Sequence, residues 1–248
     1  FMENKKFDCV VVGAGISGSV IAERYANVLN KKVLVIEKRN HIAGNCYDYF
    51  NKENILVPKY GPHYFHTNHK KVWNYVSQFT DWIEYEHRVL GHVDGKLVPV
   101  PINIETVNRL LGFNIKNGRE MRKWLSQNTV KIKNPKNSEE LALSRMGSYF
   151  YEKIFKNYTK KQWGLWPHEL DASLMGRIPI RTSFDDRYFS DKFQSMPKNG
   201  YTKLFEKILS HPNITVKLNT DYSEIKGEIK NFEKLFFTGR IDEFFDFL

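Results

Sequence analysis

A glycine-rich turn between a short apolar strand and a helix constrains the fold of this chain more than any other feature. Gly13, Gly15 and Gly18 follow an apolar run at 7–12 and begin a segment, 16–29, whose apolar residues have helical spacing. A second apolar strand is predicted at 33–36. Strand, helix and strand in this order form the crossover unit of a parallel sheet. The sequence therefore predicts an α/β dinucleotide-binding domain.

Each glycine of the turn has its own expected task beside a pyrophosphate. Gly13 permits the tight turn, Gly15 lets backbone amides approach the phosphates, and Gly18 allows close helix packing. The helix N-terminus, which includes Ser17, contributes partial positive charge. Glu37 closes the second strand 19 residues after Gly18 and is expected to accept hydrogen bonds from a ribose hydroxyl. A glycine turn without any ligand is the alternative interpretation.

The loop after Glu37 indicates which dinucleotide is bound. Lys38 is followed by a long loop containing Gly44 and Asn45, and a side chain at position 44 would obstruct a close backbone approach. A loop of this kind resembles FAD proteins of the glutathione-reductase type, whereas nicotinamide enzymes usually lack it. Near the other end, a strand closing at Gly239 suits a sheet edge that meets a flavin, or an ordinary core strand. We therefore predict FAD as the cofactor.

The remainder of the chain predicts a helical insertion and some antiparallel strands. Residues 84–101 form a hairpin around a turn at 93–96, and Ser138 is expected to cap a helix that begins there. Helices are predicted at 106–111, 118–126, 138–146, 147–158 and 200–209, and strands at 214–218 and 234–238. The fold class is an FAD-binding Rossmann-like parallel sheet domain, split by a helical insertion and an antiparallel region. The predicted parts are 1–83 with 200–248 for FAD, 102–175 for the insertion, and 84–101 with 176–199 for the antiparallel segments.

Composition and charge narrow the classes of partner. The 38 Lys and Arg residues exceed the 28 Asp and Glu residues and give a net charge of +10. The lysines are scattered, and no zinc-finger or RNA-recognition signature is present, so we expect no nucleic-acid partner. No apolar run is long enough to cross a bilayer, so we expect no membrane insertion and a cytoplasmic location. Cys9 and Cys46 are expected to be free thiols.

Three histidines at a spacing of three residues raise the question of a metal site. His63, His66 and His69 follow Pro62, which disfavours a preceding helix, and no carboxylate signature completes a coordination set. We therefore predict that no metal is bound.

Six colinear motifs resemble the prokaryotic UDP-galactopyranose mutases. They occupy 36–45, 59–67, 158–164, 177–181, 188–191 and 200–204, and the resemblance covers residues 7–247. It also implies that the C-terminal part of the family, which continues for more than a hundred residues, is missing from this chain. Arg240 stands where the family usually has proline.

The resemblance implies a set of site residues. His63 and Arg177 are the catalytic candidates. The cofactor candidates are Gly13, Gly15, Ser17, Gly18, Glu37, Lys38, Gly44, Asn45, His63, Tyr64, Tyr222 and Gly239. The substrate candidates are His87, Phe155, Tyr158, Thr159, Trp163, Arg177 and Tyr188. Within this set, Trp163 is expected to stack on uracil, Tyr158 and Thr159 to bond the diphosphate or ribose, and Arg177 to hold phosphate oxygens.

The implied activity is the interconversion of UDP-galactopyranose and UDP-galactofuranose, for galactofuranose biosynthesis and cell-surface polysaccharide. In this family, N5 of reduced FAD acts as a nucleophile at the anomeric carbon. The partner is the small-molecule UDP-galactose substrate, and a homodimer is left open. Two alternatives remain: an FAD-dependent oxidoreductase of the amine-oxidase type, and an inactive FAD-binding remnant.

Overall fold

The computed structural model describes residues 6–176, 178–245 and 247. Among these residues the strands are β1 (Cys9–Val12), β2 (Val33–Ile36), β3 (Asp48–Phe50), β4 (Leu56–Pro58), β5 (Phe65–Thr67), β6 (Trp82–Glu84), β7 (Val89–Val93), β8 (Lys96–Val100), β9 (Phe193–Pro197), β10 (Ile214–Lys217) and β11 (Lys234–Phe237). The helices are α1 (Ile16–Asn27), α2 (Lys70–Val76), α3 (Ile104–Leu111), α4 (Gly118–Asn128), α5 (Ser138–Phe150), α6 (Lys156–Trp163), α7 (Ala172–Gly176), α8 (Gly200–Ile208), α9 (Tyr222–Ile225) and α10 (Ile241–Phe244).

The chain divides into two compact units, one formed by Phe1–Tyr85 with Asp191–Leu248 and the other by Glu86–Ser190. We call them the nucleotide-fold unit and the helical unit. The domain boundaries predicted from the sequence stay a prediction.

A parallel sheet forms the centre of the nucleotide-fold unit. Its strand order is β10-β2-β1-β11, and every neighbouring pair is parallel. All four residues of β2 are fully buried. The strand is covered on both faces, and for this reason its sequence is apolar throughout and does not alternate between apolar and polar residues. Val33 and Val35 pack in one core cluster, and Leu34 and Ile36 pack in another. The predicted α/β class with a parallel sheet is confirmed, including the return of the C-terminal strands to this sheet.

Two smaller sheets complete the nucleotide-fold unit. β9 pairs antiparallel with both β5 and β6, and β3 pairs antiparallel with β4. The buried carboxylate of Asp48 on β3 accepts hydrogen bonds from the amides of Tyr201 and Thr202 at 2.7 and 2.8 Å. These amides belong to the first turn of α8, where free donors and the helix dipole favour a negative charge. Asp48 thereby fixes the start of α8 on β3.

The helical unit combines the hairpin β7-β8 with helices α3 to α7. Its core contains Met121, Met146, Phe150 and Tyr151, which are each at most 1% exposed. Gly147 interrupts α5 with a φ of +78°, and a Cβ there would lie 2.2 Å from the Asn128 carbonyl oxygen. The predicted hairpin turn and the predicted break at residue 147 are both found.

One predicted helix cap is wrong. Asn137, and not Ser138, is the N-cap of α5, and its side chain accepts a hydrogen bond from the Glu140 amide at 2.9 Å. The Ser138 hydroxyl instead donates to the Asp171 carbonyl oxygen at 2.6 Å. Asn and Ser both cap helices well, so the residue type alone does not determine which of the two is the N-cap. The hydrogen bond of Ser138 to Asp171 leaves this position to Asn137.

Candidate functional site

The glycine turn after β1 is shaped by contacts that allow no side chain. Gly13 has a φ of +102°, and a Cβ there would lie 2.3 Å from the Thr238 hydroxyl oxygen. A Cβ on Gly18 would lie 1.9 Å from the Gly13 carbonyl oxygen. Thr238 holds this arrangement from the end of β11, because its hydroxyl donates to the Val12 carbonyl oxygen at 2.8 Å. The turn therefore needs glycine for packing as well as for backbone conformation.

Glu37, at the end of β2, organises the turn with its carboxylate. Oε2 accepts a hydrogen bond from the Ala14 amide, and Oε1 accepts one from the Arg39 amide, each at 2.9 Å. The residue is 6% exposed. Each carboxylate oxygen has a second lone-pair site, so these bonds leave acceptor capacity for a ribose hydroxyl. The bond to Ala14 is an organising role that sequence reasoning missed.

The loop containing Gly44 passes directly over the glycine turn. Gly44 has a φ of +56°, and a Cβ there would lie 3.0 Å from the Gly15 Cα. The Ala43 amide donates to the Ala14 carbonyl oxygen at 2.9 Å and holds the loop in place. Among the described residues, no side chain caps the N-terminus of α1, and its first turn contains no acidic residue. Bare backbone and free helix amides fit the pyrophosphate of a dinucleotide.

The other cofactor candidates of the nucleotide-fold unit lie on neighbouring segments. The Asn45 Oδ1 accepts a hydrogen bond from the Arg39 guanidinium at 3.0 Å. The Lys38 ammonium lies 4.0 Å from a Glu243 carboxylate oxygen. Tyr222 contacts the Phe237 ring at 6.1 Å between centroids, and a Cβ on Gly239 would lie 2.9 Å from that same ring. Tyr222 and Gly239 are thus brought together at the end of β11.

His63 and Tyr64 precede β5. The His63 Nδ1 donates to the Gly61 carbonyl oxygen at 3.0 Å. The Tyr64 ring stacks on Tyr85 with centroids 5.3 Å apart, and burial raises the pKa of the Tyr64 phenol. His66 pairs with Asp191, since its Nδ1 lies 2.7 Å from the Asp191 Oδ2. Across the described ranges, no group of three His, Cys, Asp or Glu side chains is arranged to hold a metal ion.

A pocket that is open to solvent lies within the helical unit. It includes four of the predicted substrate residues: Phe155, Tyr158, Thr159 and Trp163. Sequence reasoning missed the rest of its lining, which consists of Ser138, Ala142, Tyr151, Pro167, Leu174, Met175 and Ile178. These are mostly apolar residues of α5, α7 and the connecting segments, and their contribution depends on how the helices pack.

The aromatic residues of this pocket differ in exposure. A π-helical turn, Tyr151–Phe155, precedes α6 and buries Phe155 to 2% exposure. Tyr158 and Trp163 on α6 are 52% and 55% exposed. Trp166 lies outside this lining, and the Lys160 ammonium is 5.0 Å from the centre of its ring. Half-exposed flat rings beside a buried apolar wall are suited to cover a base.

His87 and Tyr188 form a second group in the same unit. The Tyr188 amide donates to the His87 carbonyl oxygen at 2.6 Å, and the two rings meet edge to face at 5.7 Å. Burial lowers the pKa of His87. Burial, and after it the charge of the Tyr158 phenol, raises the pKa of Tyr188.

Arg177 lies outside the described residues. The segment that follows contains a charged network that sequence reasoning missed. Asp185 accepts hydrogen bonds from Arg181 and Arg187, each at 2.9 Å. The bond from Arg187 is the main reason that the pKa of Asp185 falls from 3.8 to about 2. Arg187 also pairs with Glu86 at 3.1 Å, next to His87.

Comparison with known proteins gives two family matches. A family model described as UDP-galactopyranose mutase matches residues 153–248, and one described as an NAD(P)-binding Rossmann-like domain matches residues 11–79. The "Probable UDP-galactopyranose mutase" of Klebsiella pneumoniae is 40% identical over 248 residues, which cover 99% of this chain and 63% of that protein. The dTDP-fucopyranose mutase of Escherichia coli is 37% identical over 243 residues, covering 96% of this chain and 64% of that protein.

A solved structure supports the fold. A crystal structure of reduced UDP-galactopyranose mutase superposes with a TM-score of 0.64 at 16% identity, over 86% of this chain and 49% of that one. The resemblance to UDP-galactopyranose mutases is therefore confirmed, and this chain is related to them. The FAD prediction is also confirmed, since the chain matches a Rossmann-like dinucleotide-binding family model and is similar to the UDP-galactopyranose mutases, which are flavoenzymes. The chain spans less than two thirds of the curated relatives it matches.

Proposed function

We propose that this chain provides the FAD-binding and nucleotide-binding parts of a UDP-galactopyranose mutase, which interconverts UDP-galactopyranose and UDP-galactofuranose. The observation that carries the proposal is the pocket of the helical unit, where Phe155, Tyr158, Thr159 and Trp163 line one cavity. The similarity to curated mutases over nearly the whole chain supports it. Galactofuranose for cell-surface polysaccharide is the proposed use of the product. The cytoplasmic location and the homodimer stay predictions.

The nucleotide-fold unit would hold FAD through its backbone. The amides at the start of α1 and the bare surface formed by Gly15 and Gly44 fit the pyrophosphate, and Glu37 has acceptor capacity for the ribose. When bound and reduced, FAD supplies N5 as a nucleophile for the anomeric carbon, so the ring changes size without net oxidation. His63 and Tyr64 are the proposed neighbours of the flavin ring.

The helical unit would retain UDP while the bond to the sugar is broken. A half-exposed Trp163 ring can stack on uracil, and the Tyr158 and Tyr188 phenols can donate hydrogen bonds to diphosphate oxygens. Arg177 would neutralise charge on the leaving diphosphate. Each of these residues positions a group or balances its charge, and none needs to act as an acid or base.

The test is turnover of the purified chain. The protein is incubated with FAD and UDP-galactose, with and without dithionite, and the two nucleotide sugars are separated by chromatography. We expect interconversion with dithionite and none without it. A folded protein that takes up FAD but converts neither nucleotide sugar supports the inactive FAD-binding remnant, and oxygen consumption with an amine supports the oxidoreductase. Faster conversion of dTDP-fucopyranose would instead favour the activity for which the Escherichia coli relative is named.

The role of Arg177 is tested by Arg177→Ala, with Arg119→Ala on the exposed surface of α4 as the matched control. We expect a loss of turnover of about a hundredfold or more, because removing one group that stabilises developing charge costs about that much. The flavin content, measured by absorbance, should be unchanged. Normal turnover of Arg177→Ala would remove this residue from the proposal.

A further inference from the structure

His41 is buried at the centre of an aromatic cluster beside the candidate cofactor site. It is 7% exposed, and its ring stacks on Tyr47 with centroids 3.8 Å apart. Its Nδ1 lies 2.8 Å from the Ile42 carbonyl oxygen, and its Nε2 lies 2.8 Å from the Tyr60 hydroxyl. A carbonyl can only accept, so Nδ1 carries the hydrogen, and in the neutral ring Nε2 accepts from Tyr60. Both ring nitrogens are therefore used.

The two partners of His41 belong to two segments that are separate along the chain. The loop at 37–45 contains Glu37 and Gly44, which form the cradle for the pyrophosphate and ribose. Tyr60 begins the segment 60–64, which contains His63. The His41–Tyr60 hydrogen bond, here called the His41–Tyr60 link, joins these segments directly.

Arg39 strengthens the same connection from the outside. Its guanidinium lies 4.6 Å from the centre of the Tyr60 ring and donates to the Asn45 Oδ1 at 3.0 Å. A cation above an aromatic face contributes about 0.5–1 kcal/mol at an exposed site. Tyr60 is thus held by its hydroxyl and by its ring, and both contacts come from the loop at 37–45.

Within the loop at 37–45, His41 bonds the Ile42 carbonyl oxygen, two residues before Gly44, which lies against Gly15 of the glycine turn. Ala43 follows Ile42 with a left-handed φ of +71° and donates its amide to the Ala14 carbonyl oxygen at 2.9 Å. His41 therefore ties the position of the segment 60–64 to the loop that lies over the dinucleotide cradle.

We propose that His41 and Tyr60 are positioning residues that hold the cradle and the segment 60–64 at the separation that one FAD molecule spans. The inference rests on the proposed binding of FAD. Neither side chain needs to touch the cofactor. The link would act by preorganisation, since a site whose parts are already in place spends less free energy on ordering when the ligand binds.

The experiment compares FAD with ADP, which carries only the adenosine and pyrophosphate half. ADP uses the cradle alone, whereas FAD reaches both segments. In Tyr60→Phe, which removes only the hydroxyl, we expect FAD affinity to fall about tenfold, the usual scale for the loss of one hydrogen bond. ADP affinity should stay within about twofold. Both are measured by calorimetry on the apoprotein, with thermal unfolding measured alongside.

Two further variants and a control sharpen the result. His41→Ala should weaken FAD binding at least as much as Tyr60→Phe, and His41→Gln, which restores an acceptor, should recover part of the loss. The absorption bands of bound flavin should shift in Tyr60→Phe, because the segment 60–64 is released. Tyr49→Phe is the matched control, since Tyr49 is 44% exposed in the same unit and lies outside both segments.

The outcomes separate this inference from the proposed function. Failure of the unsubstituted protein to bind FAD overturns both. If that protein binds FAD, an equal loss of FAD and ADP affinity in Tyr60→Phe, or no loss of either, overturns the His41–Tyr60 link alone. A selective loss of FAD affinity supports it.

Discussion

Replacing Glu37 by Gln tests whether one carboxylate organises the dinucleotide cradle. Both carboxylate oxygens accept backbone amide hydrogens, from Ala14 and Arg39, each at 2.9 Å, and the side chain is almost fully buried. Glutamine has the same shape but only one oxygen. Its NH₂ group must therefore face one of the two amides, and that buried amide loses its partner.

The magnitude follows from the bonds that change. A buried donor without a partner costs about 1–3 kcal/mol, and the other amide exchanges a charged acceptor for a weaker neutral one. We expect a loss of about 2–3 kcal/mol in the free energy of unfolding, which for a chain of this size is a fall in Tm of about 4–12 °C. FAD affinity should fall as well, because Ala14 lies within the glycine turn.

The assay is thermal unfolding of the apoprotein, so that the loss of cofactor does not contribute. Calorimetric titration with FAD follows on the same samples. Glu228→Gln, on an exposed segment of the same unit, is the control and should leave Tm unchanged. An unchanged Tm for Glu37→Gln would refute the assignment of its carboxylate to the two amides.

Three other predictions concern the cradle, the pocket and the charged network. Gly44→Ala should weaken FAD binding by tenfold or more in a flavin titration, because a Cβ 3.0 Å from the Gly15 Cα shifts the loop. Gly95→Ala is the control, since Gly95 also has a positive φ, +76°, but no atom lies within 4 Å of its Cβ. This variant should bind FAD normally. Trp163→Ala should weaken UDP binding about tenfold with little change in Tm, because loss of stacking on one base costs about 1–3 kcal/mol; an equal effect of Trp166→Ala would contradict the stacking role. The pKa of Asp185 is depressed in the folded protein, so its ion pair stabilises the fold above pH 3.8, and this stabilisation is lost as the pH falls toward about 2. Asp185→Asn should flatten the curve of stability against pH in this range. A curve unchanged by the substitution would contradict the role of the ion pair.

Much of the local structure could be predicted because it depends on neighbouring residues. The strand at 33–36 was predicted with the bounds that β2 has, and the turn at 93–96 joins β7 to β8 as expected. Apolar periodicity and turn residues determine such elements over a few positions. The start of α3 at Ile104 was missed, because Asn103 caps it through a capping box with Thr106, in place of the more common Glu or Gln.

The pocket was only partly predictable for a different reason. Tyr158, Thr159 and Trp163 belong to the motif at 158–164, and Phe155 precedes it by three residues, so the resemblance identified all four together. Met175 and Ile178 are ordinary apolar residues whose place in the lining follows from the packing of α7 and its connection against α5. A pattern of apolar residues indicates burial but not the neighbour against which a side chain is buried.

The sequence by itself determined the crossover unit, the glycine turn, the acidic residue that closes β2, and the family to which this chain is related. Only the tertiary structure decided that Glu37 bonds the turn, that Thr238 packs over Gly13, and that His41 bonds Tyr60. The reason is physical. Backbone conformation responds to residues a few positions away, whereas these contacts join side chains and backbone 23, 225 and 19 positions apart, and they exist only when the strands and loops between them have packed.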